Sequence, residues 1–205
     1  AIIGDKFDGH DFIENAIRKG AYGIIVSDMK LANKYNGLLV KDTKKALKQI
    51  ATFSRYRFKG TTIALTGSSG KTSTKHLLAN SLKKFGKTHY TQGNNNNLIG
   101  LTLTLSRLHY DYQYCVLELG MNNTGEIREL TKIAKPDIAL ITNVSNSHIE
   151  NFKNEKEIAA AKSEIFLGLN KNGIAIINLD NWWSEYLIKK AKKVSAKIHL
   201  FGHSK

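Results

Sequence analysis

The chain has 205 residues, 41% of them hydrophobic, with 31 lysines and arginines against 17 acidic residues and a formal net charge of +14. That length suits one large or two small domains, and Cys115 as the single cysteine excludes an intrachain disulfide. No apolar run reaches the ~20 residues of a membrane-spanning helix and no signal peptide opens the chain, so a cytoplasmic protein without membrane insertion is expected.

The positive charge is spread over short pairs such as Lys44-Lys45, Lys83-Lys84 and Lys189-Lys190. There is no arginine-rich helix and no basic segment interleaved with aromatics, so no nucleic-acid partner is expected. Lys, Asn and Ile are all abundant, as AT-biased codon usage produces. A positive field still favours polyanionic nucleotides.

In chain order, residues 1–10 start without a methionine, in an apolar, strand-like piece already under way. Residues 11–19 read as a helix with Phe12, Ile13, Ala16 and Ile17 on its apolar face and Gly20 as its stop. Residues 22–26 and 38–40 read as short strands, and Asp42 or Thr43 as the cap of a helix running to about Tyr56. Residues 1–58 thus form a small α/β unit joined at Lys59-Gly60. From Thr61 strands alternate with helices: 61–66, 72–84, 113–119, 125–134, 137–143, 155–169, 173–178, 181–192 and 197–201. The expected class is α/β, with a mainly parallel sheet covered by helices on both faces. There is no internal repeat, and the only low-complexity element is Asn94 to Asn97.

The stretch 61–82 carries the clearest chemistry. A β-branched and apolar run breaks into Gly67-Ser68-Ser69-Gly70-Lys71-Thr72 and continues as a helix. Glycines let successive N–H groups point at an anion, and the helix N-terminus adds partial positive charge. Lys71 would reach the β- and γ-phosphates and the Thr72 hydroxyl would ligate magnesium. The usual P-loop has a glycine where this chain has Leu65, so the loop is shorter.

In open α/β sheets ligands sit outside the carboxyl ends of strands. Two further strands end in polar residues: one at Glu118, the other running into Ser145-Asn146-Ser147-His148. Glu118 and His148 would share the rim of Lys71 and Thr72. Glu118 suits magnesium or is a solvated strand-end carboxylate; His148 is a ligand or a packing residue. On a helix over 155–169, Lys162 falls in the apolar arc of Ile158, Ala161, Ile165, Phe166 and Leu169. Such a lysine either snorkels or is a desolvated amine with a lowered pKa, able to react or be modified.

The segment Thr66 to Thr72, with its short loop, resembles the ATP loop of the Mur ligases, ATP-dependent amide-bond formers of peptidoglycan synthesis. Gly93-Asn94-Asn95-Asn96-Asn97-Leu98-Ile99-Gly100, Glu118-Leu119-Gly120-Met121-Asn122 with Gly125-Glu126-Ile127, Ala161-Lys162-Ser163-Glu164-Ile165-Phe166, and Asp8-Gly9-His10-Asp11-Phe12 extend the likeness over nearly the whole chain. Leu119 to Asn122 after Glu118 favour the member that joins D-alanyl-D-alanine to UDP-N-acetylmuramoyl-tripeptide. The member adding the third amino acid has a Ser-Ser-His run there. That neighbour, and a nucleotide-binding module without ligase activity, are the alternatives.

The resemblance implies roles. Gly67, Ser68, Ser69, Gly70, Lys71, Thr72 and Ser73 would hold ATP. Thr72 and Glu118 would bind a first magnesium ion, and His148 a second. Lys71, His148 and Lys162 would be catalytic, Lys162 as a carbamate that also contacts metal. Asn96 and Asn97 would lie beside the γ-phosphate and the acceptor carboxylate. It also implies a fragment, expected to be monomeric, with 1–58 from a UDP-muramoyl-peptide-binding domain and 61–205 from the central ATP-binding domain. A third domain would be missing, so the chain alone is expected to bind nucleotide weakly and make no product.

Overall fold

The computed structural model describes residues 1–4, 7–146 and 151–203. The chain divides into two compact units, 1–50 and 51–205. The first carries a 3-10 turn (Gly9–Phe12), α1 (Ile13–Arg18), β1 (Ile25–Val26), α2 (Met29–Tyr35), β2 (Leu38–Leu39) and the start of α3 (Thr43–Arg57). β1 and β2 pair in parallel. Asp28 caps α2 by accepting from Leu31 N–H, and Asn36 ends it in the left-handed region. Ile13, Val26 and Ala32 form the small core. Of the apolar face expected for the first helix, Ile13 is buried while Phe12 and Ile17 are exposed. Gly20 stops the helix as expected, at φ +92°.

The expected joint was Lys59-Gly60; the division falls earlier, inside α3. Ala51 and Phe58 pack into the larger unit's core, and Arg55 donates to the carbonyls of Ala134 and Lys135 at 2.6 Å each. These contacts make the end of α3 a part of the larger unit.

The larger unit alternates β3 (Thr61–Thr66), α4 (Lys71–Leu82), β4 (Thr88–Tyr90), α5 (Leu98–Ser106), β5 (Tyr114–Glu118), α6 (Glu126–Ala134), β6 (Ile138–Ile141), α7 (Glu155–Ser163), β7 (Ile174–Asn178), α8 (Ser184–Lys193) and β8 (Lys197–Phe201). The strands form one parallel sheet in the order β4-β5-β3-β6-β7-β8. Alternation along β3 divides its side chains between two apolar layers. Ile63 and Leu65 join Val116 and pack with Leu78 and Leu82 of α4. Ala64 joins the main cluster with Leu117, Ile141 and Ile177 of the sheet and Leu101, Leu130, Ile158 and Leu187 of the covering helices. This is the expected α/β architecture with helices on both faces. Cys115 lies in that cluster, and burial pushes its thiol up to about 12.

Two elements stand between 85 and 112, where none is placed from the sequence: β4 and α5. α7 is also shorter than the helix expected over 155–169, since residues Glu164–Gly168 tighten into a 3-10 turn. Thr131 Oγ1 donates to Ile165 O at 2.8 Å, claiming an acceptor of the helix ladder, and Leu169 N–H turns to Phe166 O instead.

Candidate active site

β3 is the centre of the site because it has β5 on one side and β6 on the other. Its register pairs Leu65 with Glu118 and Thr66 with Ile141, so the three strand ends share one rim. This is where an open parallel sheet offers a crevice.

The phosphate loop leaves β3 at Gly67. A Cβ there would come 1.9 Å from Thr142 Oγ1, so only glycine permits this approach to the end of β6. Gly70 sits at φ +76° as the N-cap of α4, a conformation glycine adopts without strain. Between them the loop is fastened to the β6 exit. Ser68 N–H donates to Asn143 O at 3.1 Å, and Ser69 N–H donates to Asn143 Oδ1 at 2.9 Å. Thr142 Oγ1 donates to Ser69 O at 2.7 Å, and Ser145 N–H to Ser68 Oγ at 2.9 Å. The first intrahelical bond of α4 is Thr74 N–H to Gly70 O, so the amides of Lys71, Thr72 and Ser73 form the open N-terminal turn. That turn is an anion site by geometry.

Lys71 Nζ donates to Gly67 O at 2.6 Å and lies near Ser68 O at 3.4 Å, folded over the loop. Burial holds its pKa below the usual lysine range, offset in part by Glu118. Thr72 Oγ1 lies 3.1 and 3.3 Å from the two Glu118 carboxylate oxygens. Asn96 Nδ2 donates to Glu118 Oε1 at 3.0 Å. Glu118 is 1% exposed, so strand β5 delivers an enclosed carboxylate rather than a solvated one. A hydroxyl beside a carboxylate is a fitting pair of hard oxygen donors for magnesium, whose other positions go to phosphate oxygens and water. Among the described residues no group of three or more His, Cys, Asp or Glu side chains could hold a metal ion.

Lys71, Asn96, Asn97, Gly120, Met121, Asn122, Glu126 and Lys162 line a cavity of about 210 Å³. Lys162, on α7, is 1% exposed. Burial, with a smaller push from Lys71, lowers its pKa to about 7. The desolvated amine is therefore what the structure holds, and the snorkelling alternative is excluded by that burial. Asn97 borders the same cavity while its Oδ1 caps α5, accepting from Gly100 N–H at 2.9 Å. A second cavity, of about 450 Å³, is lined by Ser69 and Gly70 of the loop with Thr74, Leu140, Thr142, Asn143, Ile176 and Phe201. His148 lies outside the described residues.

Two participants escaped the sequence reading. Asn143 clamps the phosphate loop through both ends of its amide. Lys75 is fully buried, with Nζ 3.2 Å from Glu118 Oε2. Its signal was available: Lys71, Thr72, Lys75 and Ala79 recur at helical spacing on one face of α4.

The Mur ligase middle domain matches residues 65–205. This chain belongs to the Mur ligase family. Within that family it is similar to the UDP-N-acetylmuramoyl-tripeptide–D-alanyl-D-alanine ligase of Buchnera aphidicola subsp. Baizongia pistaciae, at 46% identity over 207 residues, covering 100% of this chain and 44% of that protein. A crystal structure of MurF from Acinetobacter baumannii aligns with a TM-score of 0.86 at 35% identity, over 100% of this chain and 45% of that one. MurF ligase from Thermotoga maritima, solved in complex with ADP, aligns with a TM-score of 0.82 at 35% identity, over 100% and 47% respectively. This Mur ligase chain thus spans less than half the length of each of these relatives. Among its described residues no helix is long and apolar enough to cross a membrane.

Proposed function

We propose that this chain is the nucleotide-binding part of an ATP-dependent, ADP-forming ligase that joins D-alanyl-D-alanine to UDP-N-acetylmuramoyl-tripeptide in peptidoglycan precursor synthesis. The observation that carries this is the meeting of Lys71, Asn96, Asn97 and Lys162 around one cavity, with Thr72 and Glu118 in contact beside it. The names of the relatives favour the same acceptor.

In this reading residues Gly67 to Ser73 hold the ATP phosphates, and the more apolar cavity beyond the loop, with Leu140, Ile176 and Phe201, takes the base. Thr72 and Glu118 would hold magnesium, which when bound offsets phosphate charge. The tripeptide carboxylate attacks the γ-phosphorus as ADP leaves, giving an acyl phosphate. The amine of D-alanyl-D-alanine then attacks the acyl carbon, and phosphate leaves from the tetrahedral intermediate. Lys71 spreads its charge over the transferring phosphoryl group, so its contribution is electrostatic and positional. Asn96 and Asn97 orient the acceptor carboxylate. Lys162, as a carbamate, would present an anionic oxygen to metal in place of a cation. Residues 1–58 would contribute to holding the UDP-muramoyl peptide.

The test is phosphate release from Mg-ATP by the full-length protein, given UDP-muramoyl-tripeptide and D-alanyl-D-alanine. A control offers UDP-muramoyl-dipeptide with diaminopimelate or lysine. Release that requires the dipeptide acceptor supports the proposal. Release only in the control assigns the neighbouring ligase reaction instead, and release in neither rejects both acceptors.

A further inference from the structure

Lys75 has no part in that scheme, yet it is a fully buried cation on the helix that leads out of the phosphate loop. Its ammonium lies 3.2 Å from Glu118 Oε2 and donates to Gly93 O at 2.7 Å. Gly93 opens the Gly93–Asn97 loop, which runs exposed between β4 and α5. The other end of that loop returns to the same carboxylate, since Asn96 Nδ2 donates to Glu118 Oε1 at 3.0 Å. Gly120 N–H, two residues beyond Glu118, donates to Asn96 O at 2.8 Å. One ammonium therefore holds the loop at its start and, through Glu118, at the residue that faces the cavity.

We propose that Lys75 is a positioning residue: it locks the Glu118 carboxylate and the Gly93–Asn97 loop into one register, so that Asn96 and Asn97 face the catalytic cavity. This rests on reading that cavity as the ligase site. A neutral donor would not serve as well, because an enclosed carboxylate needs an opposite charge as well as hydrogen bonds. Lysine also supplies three donors on a flexible stem, enough to serve a carboxylate and a carbonyl at once. Without it Gly93 O loses its donor and Glu118 its ion-pair partner, and the start of the loop is no longer tied to the carboxylate that holds Asn96.

A purely structural ion pair would lower stability and reduce turnover and ADP binding together as the folded fraction falls. A positioning role instead divides them. The experiment uses the full-length protein with Lys75→Met, Lys75→Arg and the double variant Lys75→Met with Glu118→Gln. The double variant leaves no unpaired buried charge should the single one fail to fold. The first readout is hydrogen exchange, independent of turnover. Amides of 92–97 should exchange at least about tenfold faster in Lys75→Met and in the double variant, with α4 and β3 unchanged. The second is kinetic. In Lys75→Met, kcat with both acceptors should fall about 100-fold while ADP affinity holds, and Lys75→Arg should recover much of the loss.

Unchanged exchange across 92–97 in a folded variant overturns the proposal. So does ADP affinity that falls in step with kcat, or an arginine variant no better than methionine. If the parent protein turns over none of the acceptors, the ligase reading fails, while the exchange comparison still decides the role of Lys75.

Discussion

An ammonium on a solvated helix face stays protonated well above neutral pH; Lys162, in the wall of a cavity, does not. Burial and Lys71 bring it to about 7, so a substantial share of the amine is neutral under ordinary conditions. Carbamate formation needs that form: the nitrogen bonds to the carbon of carbon dioxide and releases a proton. Carbon-13-enriched bicarbonate should therefore give a carbamate signal in the full-length protein that Lys162→Met lacks, and activity lost on removing carbon dioxide should return with bicarbonate. Absence of both effects removes the carbamate from the scheme. Lys71→Ala should lower phosphate release by roughly 10³-fold or more, as loss of a preorganised charge at the transferring group does; retention of more than a small fraction of activity would contradict the assignment. Lys71 and Thr72 were legible in the sequence because strand, loop and helix impose their order, and Glu118 because it ends an apolar strand. The face of α4 that carries Lys75 was legible too, but not its role, which depends on the Glu118 carboxylate and the Gly93 carbonyl, 43 and 18 residues away in sequence, which only folding brings within reach.

At the scale of elements, local pattern and tertiary demand part company in α5. Its Leu101-Thr102-Leu103-Thr104-Leu105 run alternates as a strand would. The helix forms because Asn97 caps it and because it buries Leu101 and Leu105 in the main core, while the Thr102 and Thr104 hydroxyls are satisfied on Leu98 O and Gly100 O, one turn back. The 3-10 turn after α7 has a comparable origin in its neighbour α6. Glu164 accepts from the N–H groups of Gly125 and Arg128 at the start of α6, and Gly168 lies so close that a Cβ would come 2.2 Å from Thr131 Oγ1. Gly168→Ala should therefore destabilise the protein by about 1–3 kcal/mol, measured as a lower denaturation midpoint. A neutral result would mean that the turn and α6 separate without cost. The sequence placed a helix here correctly but not its end, because periodicity cannot see an acceptor taken by another element.

Across the whole molecule, the pH response has an identifiable contributor in β4. His89 Nε2 donates to Thr104 O at 2.8 Å, and burial holds the ring's pKa below 6.5. Below that value the unfolded chain binds more protons than the folded one, so the contribution is present above it and is lost as pH falls toward the folded pKa. The denaturation midpoint should decline as pH falls below about 6.5, and His89→Gln should reduce the decline. Equal slopes in the two proteins would remove His89 as its source. The large unit's α/β class, its strands other than β4 and its phosphate loop came from the sequence alone. Each rests on local periods and on a turn that tolerates few residue types. Three things needed the tertiary structure. One is the flanking of β3 by β5 and β6, which puts Glu118 against Thr72. Another is the burial that brings the pKa of Lys162 down to about 7. The last is the bridging of Glu118 and Gly93 by Lys75. Each of these depends on groups distant in the chain sharing a space that water has left, and no local pattern records that.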